Sequence, residues 1–134
     1  MSQDNVETVR EAFETFGAEG IDAALSFFAP DFVWYPTDRW LEGDAYRGHD
    51  GMRRLAAAFA ENFDDFRYDV RDVRDAEDRV VALVDMIGRI KPSGAEISQR
   101  LAFVVAGFRD GTFREVRAFQ SWPEALEAVG LSEA

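Results

Sequence analysis

The stretch Glu96–Gln120, EISQRLAFVVAGFRDGTFREVRAFQ, holds the strongest short-range signal in the chain. Asp110-Gly111 stands between two runs rich in β-branched and aromatic residues. Both central positions of a two-residue hairpin turn need positive φ, which Asp-Gly tolerates. If Arg109 faces Thr112, the ladder pairs Phe103 with Ala118 and Leu101 with Gln120. One face then carries Leu101, Phe103, Val105, Val116, Ala118 and Gln120. The other carries Arg100, Ala102, Val104, Ala106, Glu115, Arg117 and Phe119. The first is more apolar and the better pocket lining; the second would face water or a dimer partner.

Upstream, Val80–Gly88 reads VVALVDMIG, an apolar strand with one carboxylate in it. The turn at Pro92-Ser93-Gly94 decides where Asp85 points. A three-residue loop sets Asp85 opposite Leu101, on the pocket face with Val81, Leu83 and Ile87. A two-residue loop sets it opposite Arg100, as an outward ion pair. A one-residue slip reverses every side chain. Burial of Val81, Leu83 and Ile87 with Leu101 and Phe103 fits the first register, while Val80, Val84 and Met86 keep the second open.

Before this, Phe66, Tyr68 and Val70 alternate with Arg67, Asp69 and Arg71, the pattern of a half-exposed strand. The N-terminal part is helical. Asp4-x-x-Glu7 resembles a capping signal, and Val6, Val9, Phe13 and Phe16 form one stripe that Gly17 and Gly20 end. A second helix is expected over Ile21–Phe28, stopped by Ala29-Pro30, and Phe32–Tyr35 reads as a strand. Thr37–Arg47 has no periodicity yet carries Trp40 and Tyr46, which suits a pocket lid. Gly48-His49-Asp50-Gly51 opens a third helix, with Met52, Leu55, Ala56, Phe59 and Phe63 on its buried side. Ser121-Trp122-Pro123-Glu124 is a capping box for a terminal helix. The order α-α-β-α-β-β-β-β-α, with consecutive hairpins, gives one α+β domain over 1–134.

The composition narrows the function classes. With 134 residues, 47% hydrophobic and 31% charged, the chain is globular. A net charge of -11 argues against nucleic acid and anionic lipid, both of which need clustered cations. Without cysteine there is no thiolate nucleophile or thiolate metal site. No signal peptide or membrane-length apolar run is visible, so a cytoplasmic protein is expected. The lone His49 does not make a metal site, and a backbone-anchoring role is expected for it.

Several strings, in order, resemble the SnoaL-like branch of the nuclear-transport-factor-like (ketosteroid isomerase-like) superfamily. They are Glu7-x-x-Arg10-x-x-Phe13 with Ile21-Asp22-Ala23, Phe28-Ala29-Pro30-Asp31-Phe32-Val33-Trp34, Tyr46-Arg47-Gly48-His49-Asp50-Gly51-Met52-Arg53, Arg109-Asp110-Gly111, and Glu124-Ala125-Leu126-Glu127-Ala128-Val129-Gly130-Leu131. The resemblance implies a cone of helices on a curved, mainly antiparallel sheet that encloses an apolar pocket. It also implies a homodimer through the outer sheet face. Known members include isomerases, polyketide cyclases, epoxide hydrolases, dehydratases and non-catalytic binders, so fold does not choose the function.

Val84-Asp85-Met86 is similar to the pocket aspartate stretch of limonene-epoxide hydrolases. Their arginine two residues earlier is Leu83 here, and their second carboxylate falls at Ala118. The steroid isomerase pattern falls at Tyr35-Pro36, Ala12 and Phe103 or Val104, where neither its base nor its oxyanion hole is recognisable. A single pocket carboxylate, Asp85, is therefore the expected catalytic group, with its pKa raised by desolvation. It would serve a cofactor-independent isomerase, cyclase or hydrolase acting on a small hydrophobic molecule. Trp34, Tyr35, Trp40, Tyr46, Phe59, Gln99, Phe103, Gln120 and Trp122 are the expected ligand-binding residues. The alternative is a non-catalytic ligand-binding or dimerisation domain.

Overall fold

A computed structural model describes residues 2–36 and 45–131. Helix α1 (Ser2–Glu19) is followed by a short α2 (Ile21–Ala24), a 3-10 turn over Leu25–Phe27 and strand β1 (Phe28–Tyr35). A two-residue strand β2 (Tyr46–Arg47) leads into α3 (Gly48–Asn62). Four strands follow, β3 (Phe63–Ala76), β4 (Arg79–Ile90), β5 (Glu96–Ala106) and β6 (Phe113–Phe119), before helix α4 (Trp122–Ala128). The strands form one curved, unclosed sheet in the order β2-β1-β6-β5-β4-β3. Only β1 and β6 run parallel; the other neighbours are antiparallel.

The expected elements appear with shifted ends. α1 continues through Gly17, where a Cβ would stand 3.2 Å from the Tyr68 backbone nitrogen. Glycine there lets the helix lie directly on β3. The second helix stops before Phe28, and Pro30 sits inside β1. It falls where the β1–β6 register shifts between Phe28 and Val33, so its missing N–H breaks no regular ladder. Phe63 opens β3 instead of closing α3. Ser121 caps α4 as expected, its hydroxyl accepting from the Glu124 N–H (3.3 Å). The Glu124 carboxylate accepts from the Ser121 hydroxyl (3.0 Å), a side-chain pair in place of the reciprocal bond to backbone that a full capping box makes.

Two apolar clusters lie on opposite faces of the sheet. The inner one, under α1 and α3, gathers Val9, Phe13, Phe32, Trp34, Met52, Leu55, Phe59 and Tyr68 with Val80, Ala82, Val84, Leu101, Phe103 and Val116. The outer one packs α4, through Ala125, Leu126 and Val129, on Val81, Ala102 and Val104. Aromatic rings dominate the inner cluster. Phe103 alone has Phe13 at 5.2 Å and Trp34 at 5.3 Å between ring centres. His49 donates from Nε2 to the Phe28 carbonyl at 2.9 Å, tying the start of α3 to the start of β1.

Candidate functional site

The interior space lies between α1 and the inner sheet face. A first apolar void, of about 20 Å³, is lined by Ala12, Phe13 and Phe16 of α1, Phe28 and Trp34 of β1, and Val105, Phe113 and Val116 of β5 and β6, together with Tyr68 of β3. That is room for roughly one water molecule. Tyr68 also borders a larger open groove of about 460 Å³, with Glu14, Gly17 and Arg71. A second void of about 10 Å³ sits nearer the sheet edge, among Phe63, Phe66, Met86, Gly88, Ile97 and Gln99. Phe66 separates the two. It lines the second void and packs on two residues of the first, Phe16 at 6.1 Å and Tyr68 at 5.1 Å. Its ring also stacks on Phe59 at 4.5 Å.

The backbone around Phe66 is irregular. The β3–β4 ladder shifts register between Asp64 and Arg67, and Asp65 holds a positive φ of 54°. Asp tolerates this left-handed region better than most residues. The shift lets Phe63 and Phe66, three residues apart and so of opposite parity, both line the second void beside Met86 and Gly88.

Tyr68 is the residue that the site reading of the sequence missed. It is 5% exposed, opposite Met86 on the inner face, with Phe13 at 5.1 Å and Phe16 at 5.3 Å. Burial pushes its phenol pKa upward, so the hydroxyl stays protonated across the working pH range. Its signal was present, since Tyr68 alternates with Arg67 and Asp69 and therefore belonged to the buried side.

The structure sorts the expected ligand-binding residues onto two sides of the sheet. Trp34 lines the first void, and Phe103 packs directly behind it. Tyr46 is buried beside Trp34 across the β1–β2 pair, with the Arg54 guanidinium 5.5 Å over its ring. Phe59 and Gln99 belong to the Phe66 end. Trp40 lies outside the described residues. Three others are corrected. Tyr35 pairs with Arg117 and stacks under its guanidinium at 4.1 Å, on the outer face. Trp122 packs in the outer cluster, with Arg74 5.4 Å over its ring. Gln120 is exposed beyond the end of β6.

Asp85 also needs correction as to place. It stands opposite Arg100, not Leu101. The connection is a four-residue loop: the Ile90 N–H donates to the Ala95 carbonyl at 2.8 Å, and the Gly94 N–H to the Ile90 carbonyl at 2.7 Å. The even count turns Asp85 to the outer face, beside Leu83 and Ile87. There its carboxylate accepts from Arg100 Nε at 2.8 Å and Nη2 at 3.3 Å, with Arg71 Nε 3.5 Å away. Its side chain is only 14% exposed, yet the expected rise in pKa is reversed. The Arg100 hydrogen bonds, aided by the charges of Arg100 and Arg71, outweigh desolvation and hold the carboxyl below its usual range. Asp69 faces Asp85 directly across β3–β4, a repulsive placement that the arginines offset; Arg67 Nε lies 3.7 Å from Asp69.

Among the described residues no charged side chain is buried, and no group of three or more acidic or histidine side chains could hold a metal ion. No described helix is long and apolar enough to cross a membrane. Among the described residues the inner face therefore offers aromatic surface, the phenols of Tyr46 and Tyr68, and the Gln99 amide.

Comparison with solved structures gives the same architecture. A hypothetical protein of ketosteroid isomerase-like fold from Catenulispora acidiphila DSM 44928, crystallised with trimethylamine, is 17% identical. The match covers 93% of each chain with a TM-score of 0.74. An NTF2-like protein of unknown function from Burkholderia pseudomallei K96243 is 21% identical over 98% of both chains, with a TM-score of 0.74. TerC, co-crystallised with polyporic acid, is 20% identical over 94% of this chain and 98% of its own, with a TM-score of 0.75. At such identities the likeness shows the fold alone. No curated protein sequence matches the chain. The model of the SnoaL-like domain matches residues 9–116, most of the length, and the chain belongs to the SnoaL-like family.

Proposed function

We propose that this SnoaL-like protein binds a small, largely apolar molecule inside the cone, between α1 and the inner sheet face. The observation that carries the reading is the pair of aromatic-walled voids on either side of Phe66. Ligand sites in proteins usually run to about 300–1,000 Å³, so the space must open before it is filled. Phe66 is the side chain to move. It is half-buried, belongs to the irregular start of β3, and stands against the walls of both voids. Swinging it out joins them and uncovers Tyr68.

The described interior supplies hydrogen-bonding groups, the Tyr46 and Tyr68 phenols and the Gln99 amide, and no buried carboxylate, so binding is the activity these residues support. Proton transfer by Asp85 is not part of the reading, because the carboxylate is ion-paired on the other side of the sheet.

Titration with isopropylbenzene, followed by amide chemical shifts, tests the proposal. Saturable shifts are expected at Ala12, Val105 and Val116. Absence of saturable shifts, or shifts confined to Val81, Ala102 and Val104 on the outer face, would overturn it. A second reading, assembly of two copies through the outer face, draws on half-exposed Leu83 and Ile87 around the Asp85 ion pairs. Light scattering decides it: a concentration-dependent rise to twice the monomer mass is expected, and a monomer throughout counts against it.

A further inference from the structure

The open groove of about 460 Å³ lies along an edge of the sheet. Tyr68 and Val70 turn to the inner face of β3, and Arg67, Asp69 and Arg71 to the outer. All five line the groove, opposite Glu14, Gly17 and Ala18 of α1, and no residue of β4 borders it. A space that meets both faces of β3 and skips β4 runs along the far side of β3. There the strand has no neighbour among the described residues.

The backbone on that side is set for pairing. Residues 67–70 keep one regular register against 84–87 of β4, between the shifts at Asp64/Arg67 and Val70/Asp72. In a regular antiparallel ladder alternate residues turn N–H and C=O to the partner, and the others turn them away. Two of these four residues therefore present both groups to the groove. No hydrogen bond from another described element reaches them. The regular window is about 13 Å long. At either end the strand bends at its register shift, so only a short strand can follow it.

Helix α1 forms the other wall. At Gly17 it comes so near that a Cβ would stand 3.2 Å from the Tyr68 nitrogen, and the next residue, Ala18, is small. Inward side chains of an added strand would meet Ala18 and Val70, while exposed Glu14 disfavours acids among them. Outward side chains would stand opposite Arg67, Asp69 and Arg71, in the order positive, negative, positive. The two arginines are 50% and 54% exposed, and each keeps guanidinium donors beyond the one near Asp69 or Asp85. Charge normally guards an edge strand against indiscriminate pairing. Charges of alternating sign also select, since they attract the opposite order and repel its reverse.

We propose that this stretch of β3 is a docking edge for an extended peptide segment of a partner protein. The segment carries acidic, basic and acidic residues at alternate positions, with small apolar ones between. It adds to the sheet as a further strand, held by main-chain hydrogen bonds and chosen by its three outer side chains. The charge order reads the same in either direction, so parallel and antiparallel docking share one motif. The site is separate from the interior one proposed above and stands or falls without it.

The test titrates two acetylated and amidated peptides, EVKVE and KVEVK, into the intact protein and follows amide chemical shifts. Net charge alone would favour KVEVK, since the protein carries -11. The proposal expects the reverse, with EVKVE binding about tenfold more tightly and shifts centred on residues 67–70 and Ala18. N-methylated forms of EVKVE supply a second measurement. Methyl groups on the two valine nitrogens, or on the backbone nitrogens of the lysine and the second glutamate, lie on opposite edges of an added strand. One form should lose binding and the other keep it. Equal or tighter binding of KVEVK, or equal affinity of the two methylated forms, would overturn the proposal. So would shifts confined to interior Val105 and Val116, or no saturable shift with EVKVE.

Discussion

Replacing Asp85 with Asn keeps the shape of the side chain and removes its charge, which separates an outward ion pair from an interior carboxylate. Two arginine hydrogen bonds, at 2.8 and 3.3 Å, and a third guanidinium nitrogen at 3.5 Å depend on that charge. A shielded charge-assisted bond contributes about 1.5–3 kcal/mol, and an exposed ion pair about 0.2–1 kcal/mol. Asp85 is 14% exposed, but Arg100 and Arg71 are 56% and 54% exposed, so solvent and salt reach the pair. Relief of the Asp69 repulsion returns part of the loss. The expected cost of Asp85→Asn at neutral pH is about 1 kcal/mol, or a fall in melting temperature of about 3–4 °C for a chain of this size.

The pH dependence has a definite sign. A carboxyl held below its usual pKa in the folded state contributes fully above the unfolded value, about 3.9, and loses that contribution as pH falls through the folded value. Wild type and Asp85→Asn should differ most above about pH 5 and converge in stronger acid. Urea melts at pH 7 and at the lowest pH where both proteins fold provide the comparison, with isopropylbenzene affinity measured alongside. The affinity should be unchanged. An undiminished stability gap in acid, equal stability at pH 7, or a changed affinity would each refute the outward assignment.

Three further outcomes are expected. Phe103→Ala should cost about 3–5 kcal/mol in a denaturant melt, since the ring is 1% exposed at the centre of the inner cluster. Phe66→Ala should cost less, about 1–2 kcal/mol, because the ring is half-buried, and should tighten isopropylbenzene binding by removing the ring between the two voids. Gly51→Ala, which in an open helix would gain up to about 1 kcal/mol, should instead lower the melting temperature. The added Cβ would stand 2.8 Å from the Tyr46 carbonyl carbon, which is backbone and has little freedom to yield.

Much of the architecture was legible because local chemistry left one choice. Asp110-Gly111 admits a single common hairpin, and the observed bridge of Arg109 with Thr112 and pairing of Phe103 with Ala118 follow from it. The turn at 91–94 was ambiguous for a physical reason: Pro92, Ser93 and Gly94 each suit several turn positions, so length could not be counted from residue type. The strand pattern could not arbitrate either. Val81 is as buried as Val80 and Val84, because α4 covers the outer face there as fully as the inner helices cover theirs. A strand buried on both sides reads as a continuous apolar run and loses its period of two. Trp122 was misplaced by the same cause, since a large aromatic beside a helix cap gives no hint of which face the helix will cover.

One parity sets the chemistry of both faces. Tyr68 pairs with Met86 and Asp69 with Asp85, so the phenol turned inward and the carboxylate turned outward are a single fact about the β3–β4 register. Slipping that register together with the β4–β5 pairing would bring Asp85 and Asp69 under α1, among Phe13, Phe16 and Phe103. Desolvating one unpaired carboxylate costs several kcal/mol, a large share of a small domain's stability of about 5–15 kcal/mol. On the outer face the same groups meet Arg67, Arg71 and Arg100 and remain within reach of water. A buried phenol needs only one acceptor, at a cost of about 1–3 kcal/mol while it has none. The register that turns a neutral phenol inward and the carboxylates outward is thus the one the surrounding charges favour.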